Sequence, residues 1–370
     1  MMNTDVILKK VDKGVNISAD EALYLYNNCP LPLLLSMANS VRNRMNSANM
    51  VSWQIDRNIN YTNVCISGCK FCNFHCKLSN KELSYTTQMD EYRSKIEELF
   101  RLGGDQILLQ GGLHPHYDIT FYEELFRSLK GEFPSLKLNA LGPPEVYHIS
   151  KVSKLSIMDT LKRLIDAGLD TLPGAGAEIL NDRVRSVISP GKPGTQAWIE
   201  VMESAHSLGL GTTATMVYGH IETIDERIEH LTLLRDIQSK KPEGSPGFRA
   251  FICWPMQISG TELSKITNIE RPTAAENLKM IAISRIVLNN IRHIQVSWLT
   301  IGLECAKLAL HSGADDMGSI MIEENVVSSA GAHFKTDASG IKRAIKQAGF
   351  TPWLRGQDYS PRAEQDIPHL

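Results

Sequence analysis

Three cysteines stand close together in the first third of the chain: Cys65, Cys69 and Cys72, spaced C-x3-C-x2-C, with Phe71 directly before the last. Three thiolates can hold three irons of a [4Fe–4S] cube and leave the fourth iron without a protein ligand. An iron left open in this way can bind a small molecule. The spacing therefore predicts a radical enzyme that uses a [4Fe–4S] cluster and S-adenosylmethionine (SAM).

Two other kinds of protein fit the same cysteines. His75 and Cys76 would complete a tetrahedral zinc set, which makes a zinc-stabilised binding protein the alternative outside enzymes. Zinc ribbons usually pair two C-x2-C knuckles, however, and no second knuckle follows. An electron-transfer protein would not need a chain of this size. A disulfide framework is disfavoured, because seven cysteines in 370 residues is ordinary intracellular usage and an odd count leaves one unpaired.

Composition and charge narrow the partners and the compartment. The net charge is −2 and the pI is about 6.6, so no polyanion or nucleic-acid partner is indicated. The N-terminus lacks the basic-then-apolar order of a secretory signal, and the apolar stretch over residues 31–38 is too short to span a bilayer. We expect a cytoplasmic protein with no membrane span. A reducing compartment would suit an oxygen-sensitive cluster.

The apolar pattern predicts three regions: an N-terminal helical segment over residues 1–50, a barrel over 51–350, and a C-terminal tail over 351–370. Short apolar runs alternate with amphipathic helices eight times, which is typical of an α/β fold of the (β/α)8 TIM type. A further helix near 340–348 and a loose end over 357–370 complete the chain. Strands are predicted over residues 59–64, 106–110, 136–141, 171–173, 212–218, 249–254, 293–297 and, weakly, 315–320.

Chemistry in such barrels lies at the carboxyl ends of the strands, and the cysteine segment directly follows the first predicted strand. After the second strand come Gln110, Gly111 and Gly112, where the backbone could approach the methionine amino group of SAM; a tight turn is the alternative. After the fourth comes Glu178, which could accept bonds from ribose hydroxyls or an ammonium group. A favourable acid at a helix start is the alternative.

Four more residues are candidates. Tyr218 ends the fifth strand and could face adenine or substrate, and Arg185 could bind a carboxylate bidentately or simply be an exposed helix residue. His114 belongs to an H-x-H pair without a third metal ligand, which favours a capping or substrate-contacting role. Glu324 follows the eighth strand, as a polar contact to substrate or as an acid in a first helical turn.

The cysteine motif together with QILLQGGLHP, GAGAEIL, TTATMVYGHIET and GADDMGSIMIEENVVSSAGA resembles the cyclic dehypoxanthine futalosine synthases. These are radical SAM enzymes of the futalosine route to menaquinone, and the likeness covers roughly residues 50–350. It implies that a 5′-deoxyadenosyl radical removes hydrogen from C4′ of the substrate ribose. The carbon radical then closes onto the substrate's aromatic ring, and an electron and a proton are lost. Aminofutalosine synthase is the nearest alternative in function.

The resemblance also implies roles for single residues. Cys65, Cys69 and Cys72 are expected to bind the cluster. His114 and Glu324 are the candidate proton acceptors, and an external donor such as flavodoxin or ferredoxin is expected to supply the electron. Where family members usually carry a basic residue, this chain has Cys76, which we expect to lie off the cluster because a fourth thiolate would block the iron that SAM needs. SAM contacts are expected at Phe71, Gln110, Gly111, Gly112, Glu178, Arg185 and Tyr218.

Overall fold

The computed structural model describes residues 2–332 and 334–362. Within them the chain forms an α/β barrel of the TIM type, as predicted, with every strand pair parallel. The strands are β1 (Met50–Gln54), β2 (Asp56–Asn60), β3 (Gln106–Gln110), β4 (Lys137–Ala140), β5 (Thr171–Leu172), β6 (Gly211–Tyr218), β7 (Phe248–Pro255), β8 (His293–Val296), β9 (Asp316–Ser319) and β10 (Thr351–Leu354).

One long extended segment joins the two ends of the sheet. β1 pairs with β9 and β10, whereas β2, which follows after the single residue Ile55, pairs with β3. The peptide N–H groups of Ile320 and Ile322 donate to the carbonyls of Gln54 and Asp56, at 3.1 and 3.3 Å. The segment over residues 50–60 therefore links β9 to β3 and brings the strands around a common axis.

The strand predictions were wrong for the first strands of the sheet and for its last strand. The first barrel strand ends at Asn60, so the predicted strand over 59–64 covers only its last two residues. β1 and β10 were not predicted. A polar side chain stands at every second position over residues 54–60. The segment therefore contains no apolar run, and the strand was not recognised. β10 falls within the predicted tail and pairs with β1. Residues 363–370 of that tail lie outside the described residues.

The helices surround the barrel, and the N-terminal ones pack as a group on its outer helices over residues 224–240 and 274–287. The predicted start at Ser18 is confirmed, since Ser18 and Glu21 form a reciprocal capping box. None of the described helices is both long and apolar enough to cross a membrane. The helices are α1 (Thr4–Asp12), α2 (Ala19–Asn28), α3 (Leu31–Met45), α4 (Met89–Arg101), α5 (Ile119–Glu132), α6 (Pro143–Ser153), α7 (Ile157–Ala167), α8 (Asp182–Ile188), α9 (Thr195–Ser207), α10 (Ile224–Lys240), α11 (Leu263–Ile266), α12 (Ala274–Val287), α13 (Trp298–Ala309) and α14 (Ala338–Gln347).

The interior of the barrel is polar along one side. TIM barrels are usually filled by bulky branched side chains. Here the alternate residues Gln54, Asp56, Asn58 and Asn60 line a cavity of about 460 Å³, and Gln106 of the neighbouring strand lines it too. The barrel interior is therefore an open cavity and not a packed core. Its amide and carboxyl groups suit a polar ligand.

Candidate active site

The three predicted cluster cysteines line one end of the central cavity, at the carboxyl end of β2. The Ser67 hydroxyl lies 3.0 Å from the Cys65 sulfur and 3.3 Å from the Cys69 sulfur, so both thiols adjoin one polar group. The peptide N–H of Leu113 donates to Cys65 Sγ at 3.3 Å. Such donors stabilise a thiolate, which is the form that binds metal.

The thiols of Cys69 and Cys72 differ in their electrostatic surroundings. Burial raises the pKa of Cys69 to about 11, and the nearby Lys192 ammonium opposes that rise. At Cys72 burial also raises the pKa, but hydrogen bonds from His75 and from the backbone prevail and the net pKa is lowered. The loop therefore supplies one thiol already biased toward the thiolate and a fixed cation beside another.

Cys76 lies apart from this group. Its peptide N–H donates to the Asn63 carbonyl and its carbonyl accepts from Cys65, which closes the base of the loop. Its thiol adjoins the carbonyls of Lys77 and Asn80, at 3.5 and 3.9 Å, and it lines a separate outer groove. The thiols of Cys65, Cys69 and Cys72 thus share a cavity that Cys76 does not line.

The donor set fits a cube better than a single ion. A cube takes each thiolate on a different iron, so its ligands surround a space instead of converging on one point. In the described part of the chain no three His, Cys, Asp or Glu side chains converge closely enough for one metal ion. The three thiols border an open cavity, and a [4Fe–4S] cluster would be held there by Cys65, Cys69 and Cys72.

The segment after β3 passes directly beneath the cysteine loop. A Cβ atom on Gly112 would lie 2.1 Å from the Val64 carbonyl oxygen, and one on Gly111 would lie 2.8 Å from the Tyr61 ring. Only glycine fits between such neighbours. Gln110 donates to the Leu141 carbonyl at 3.0 Å and lines the cavity together with both glycines. All three predicted residues are therefore placed beside the cysteines.

Glu145 belongs to the same part of the site and was not predicted. Its Oε1 accepts from the Gly111 N–H at 3.1 Å and from the Tyr61 hydroxyl at 2.9 Å. Burial raises its pKa to about 7, although these two bonds oppose the rise. A sequence signal existed: Pro143 and Pro144 occupy a first helical turn, where proline is favoured, and Glu145 follows them.

A buried ion pair lies next to Cys69. Glu178 Oε1 is 2.7 Å from the Lys192 Nζ, and Arg185 lies 3.5 Å from the other carboxylate oxygen. Burial raises the pKa of Glu178, but the two cations prevail and the net pKa is lowered. Lys192 also lies 5.4 Å from the centre of the Phe71 ring. Glu178, Lys192 and Phe71 all line the cavity, and Lys192 was missed from sequence.

Arg185 and Tyr218 lie behind the cavity wall. Arg185 donates to the carbonyls of Gly176, Ala177 and Pro193, which braces the loop that carries Glu178. The Tyr218 hydroxyl donates to Asn277 of α12 at 2.6 Å. Neither is among the residues that line the cavity. Their positions suit support of the site rather than contact with a ligand.

The two predicted proton acceptors occupy different places. His114 stacks on Tyr117, with ring centres 3.6 Å apart, and it does not line the cavity; burial lowers its pKa. Glu324 does line the cavity. Its carboxylate, however, accepts from the peptide N–H groups at residues 326, 327 and 328, at 2.7–2.8 Å. The structure thus uses Glu324 to hold a turn at the mouth of the barrel.

Comparison with known proteins gives the class and the family of the chain. The profile of the radical SAM superfamily matches residues 59–234, and that of the CofH/MqnC C-terminal region matches residues 245–367. The crystal structure of methylornithine synthase (PylB) superposes with a TM-score of 0.69 at 20% identity, covering 94% of this chain and 97% of that one. Its similarity concerns the fold alone. Fold, cysteine loop and profile define a radical SAM enzyme.

Two curated relatives cover nearly the whole chain. Cyclic dehypoxanthine futalosine synthase of Streptomyces coelicolor is 43% identical over 98% of this chain and 90% of its own length. Aminodeoxyfutalosine synthase of Thermus thermophilus is 36% identical over 95% of this chain and 94% of its own. The chain belongs to the radical SAM family that includes cyclic dehypoxanthine futalosine synthase.

Proposed function

We propose that this enzyme converts dehypoxanthine futalosine into its cyclic, spiro form on the futalosine route to menaquinone. The observation that carries the proposal is the 43% identity to the Streptomyces coelicolor synthase over nearly the full length of both chains. The aminodeoxyfutalosine synthase is less similar, at 36%. The cavity supports a radical SAM reaction because cysteines, buried ion pair and glycine turn meet at one end of it.

When bound, the cluster and SAM would supply a 5′-deoxyadenosyl radical and free methionine. Cys65, Cys69 and Cys72 would hold the cluster, with one electron coming from an external carrier such as flavodoxin or ferredoxin. Lys192 and Arg185 together carry one positive charge more than Glu178, and this excess at the cavity edge suits a carboxylate, while Glu178 offers oxygens that accept hydrogen bonds. Gly111 and Gly112 leave the backbone bare at the same edge.

The remaining chemistry falls to positioning and to proton removal. The barrel must hold C4′ of the ribose near both its hydrogen acceptor and the aromatic ring, and must keep water away. Glu145 suits the proton acceptor, since its pKa of about 7 lets it take a proton near neutrality. Its carboxyl group lines the cavity next to Gly111, whereas His114 lies outside that lining.

Product mass separates the proposal from its nearest rival. Reconstituted enzyme is incubated without oxygen with SAM, a reductant and dehypoxanthine futalosine. The proposal expects free 5′-deoxyadenosine and a product two hydrogen atoms lighter than the substrate. An adduct that contains the adenosyl group would support aminodeoxyfutalosine synthase chemistry and overturn the cyclase assignment.

A further inference from the structure

The central cavity continues far below the cysteines, to a polar floor at the opposite end of the barrel. Gln54 lies six residues before Asn60 along the same extended segment, which corresponds to roughly 20 Å at 3.3 Å per residue. Both residues line the cavity. The site therefore extends well beyond the groups that surround the cysteine loop, and its far end has its own chemistry.

A C-terminal segment closes this end. Arg355, directly after β10, donates from Nε to Asp316 at 2.8 Å and from Nη1 to the side-chain oxygen of Gln54 at 2.7 Å. Its guanidinium lies 4.0 Å from the centre of the Tyr359 ring, which in turn stacks on His293. The turn over residues 355–359 thus holds a buried network across the amino ends of the strands.

Several polar atoms of the floor have no hydrogen-bond partner among the described residues. Because Gln54 accepts from Arg355 through its oxygen, its amide nitrogen must be the free group, and it is buried. Arg249 Nε and the Gln357 amide nitrogen are also unpartnered, against two acceptors, the side-chain oxygens of Gln106 and Asn58. All five side chains line the cavity. A buried donor without a partner costs free energy of folding. Because the free donors outnumber the free acceptors, a ligand rich in acceptor oxygens would satisfy them.

The charge of the floor has the matching sign. Asp316 neutralises Arg355. Arg249 donates to the backbone carbonyl of Asp358 at 2.9 Å and makes no ion pair within 4.0 Å in the described part of the chain, although its charge attracts the Asp358 carboxylate. The nearby Asp56 is fully buried and its pKa is raised by that burial, which favours its uncharged form. The partly compensated charge of Arg249 and three free donors, one of them its own Nε, remain.

We propose that the floor formed by Gln54, Arg249 and Gln357, with Arg355 fixing Gln54, binds a carboxylate at the end of the substrate remote from the reacting sugar. Between floor and cysteine loop the apolar side chains of Leu108, Ile252 and Trp254 alternate around the wall with polar ones such as Asn139 and Thr215. The cavity thus has the length for an elongated molecule with a polar sugar at one end and an acid at the other. This inference rests on the proposed function for the identity of the sugar end.

The test begins with binding that needs no turnover. Benzoate and its neutral match benzamide are titrated into cluster-loaded enzyme and followed by saturation-transfer NMR. Wild type should bind benzoate at least tenfold more tightly than benzamide. The Gln54→Glu variant, which removes the donor and adds a negative charge, should lose that preference, as should Gln357→Glu. Equal binding of the two probes by wild type, or an unchanged preference in both variants, would overturn the inference.

Kinetics with dehypoxanthine futalosine give the second arm. Both floor variants should raise KM at least tenfold while kcat changes less than threefold. Gln347→Glu makes the same substitution on the exposed end of α14 and should change neither constant. If KM stays at the wild-type value in both floor variants, the floor does not bind substrate. If wild type does not cleave SAM at all, the proposed function fails instead, and the benzoate arm still decides the floor.

Discussion

Lys192 and Glu178 form a buried ion pair beside the cluster cysteines, with Nζ 2.7 Å from Oε1. Gly191 places the loop of Lys192 directly on the cysteine loop, because its N–H donates to the Ser67 carbonyl at 2.9 Å. Glu178 has a positive φ of 42°, a strained backbone conformation for a residue with a side chain. A strained backbone and a buried ion pair at one place persist only because the surrounding contacts hold both.

Removing the cation should destabilise the protein. Lys192→Met leaves the Glu178 carboxylate buried without its nearest partner, which costs about 3–5 kcal/mol when a buried pair is broken. Anaerobic urea unfolding of the cluster-loaded protein measures this loss in the free energy of unfolding. The double variant Lys192→Met/Glu178→Gln, which removes both charges, should recover most of the loss. A single variant as stable as wild type would show that the pair is not desolvated as the structure indicates.

Glu145 should make stability depend on pH. Its folded pKa of about 7 lies above the ordinary value of 4.5, so the folded state holds the proton more tightly. This stabilisation is full below pH 4.5 and is lost as the pH rises through 7. The shift corresponds to roughly 3 kcal/mol. Glu145→Gln removes the effect, so the variant should gain about that much relative to wild type between pH 4.5 and 8.

Urea unfolding of both proteins across that range gives the comparison. Gln keeps the oxygen that accepts from Gly111 and Tyr61, so the hydrogen bonds stay matched. Parallel stability curves for wild type and variant would mean that Glu145 titrates at its ordinary pKa.

Gly112 should tolerate no side chain. A Cβ there would meet the Val64 carbonyl oxygen at 2.1 Å and the Cys65 Cβ at 2.8 Å, both in the cysteine loop. Gly112→Ala should therefore cost about 1–3 kcal/mol and reduce iron retention. The control is Gly131→Ala in α5, where nothing lies within 4 Å and where alanine should stabilise by up to about 1 kcal/mol. Equal iron content in the two variants would contradict the close packing.

The cysteines should separate into two groups by iron content. Wild type should bind about four irons per chain. Changing Cys65, Cys69 or Cys72 to Ala should abolish formation of 5′-deoxyadenosine, whereas Cys76→Ala should keep both iron and activity because its thiol faces the Lys77 and Asn80 carbonyls. Iron analysis and chromatography of the reaction read both outcomes. Loss of iron from the Cys76 variant would place that thiol on the cluster.

Local pattern and spacing predicted the barrel, apart from β1, β10 and most of β2, and the place of the cysteine loop after the first barrel strand. The residues they missed depend on contacts between distant segments. Lys192 lies in a loop between α8 and α9, and only the packing of Gly191 on Ser67 brings it to the cysteines. Nothing near Lys192 in the sequence indicates that contact.

Side-chain direction explains the misplaced residues. Successive side chains of a strand point to opposite faces, so in β6 Val217 faces the cavity and Tyr218 faces the helices. The sequence predicted where the strand ends but not which of its side chains point into the cavity. Alternation also explains the polar side of the cavity: Gln54, Asp56 and Asn58 share one face of the extended segment, and a search for apolar runs does not detect them.

The most direct measurement uses dehypoxanthine futalosine that carries deuterium at C4′ of the ribose. The enzyme, reduced and supplied with SAM in the absence of oxygen, should transfer that atom and yield 5′-deoxyadenosine with one deuterium, beside a cyclised product without it. Mass spectrometry reads both molecules in one experiment. Unlabelled 5′-deoxyadenosine, or an adenosyl adduct that keeps the deuterium, would contradict hydrogen removal from C4′.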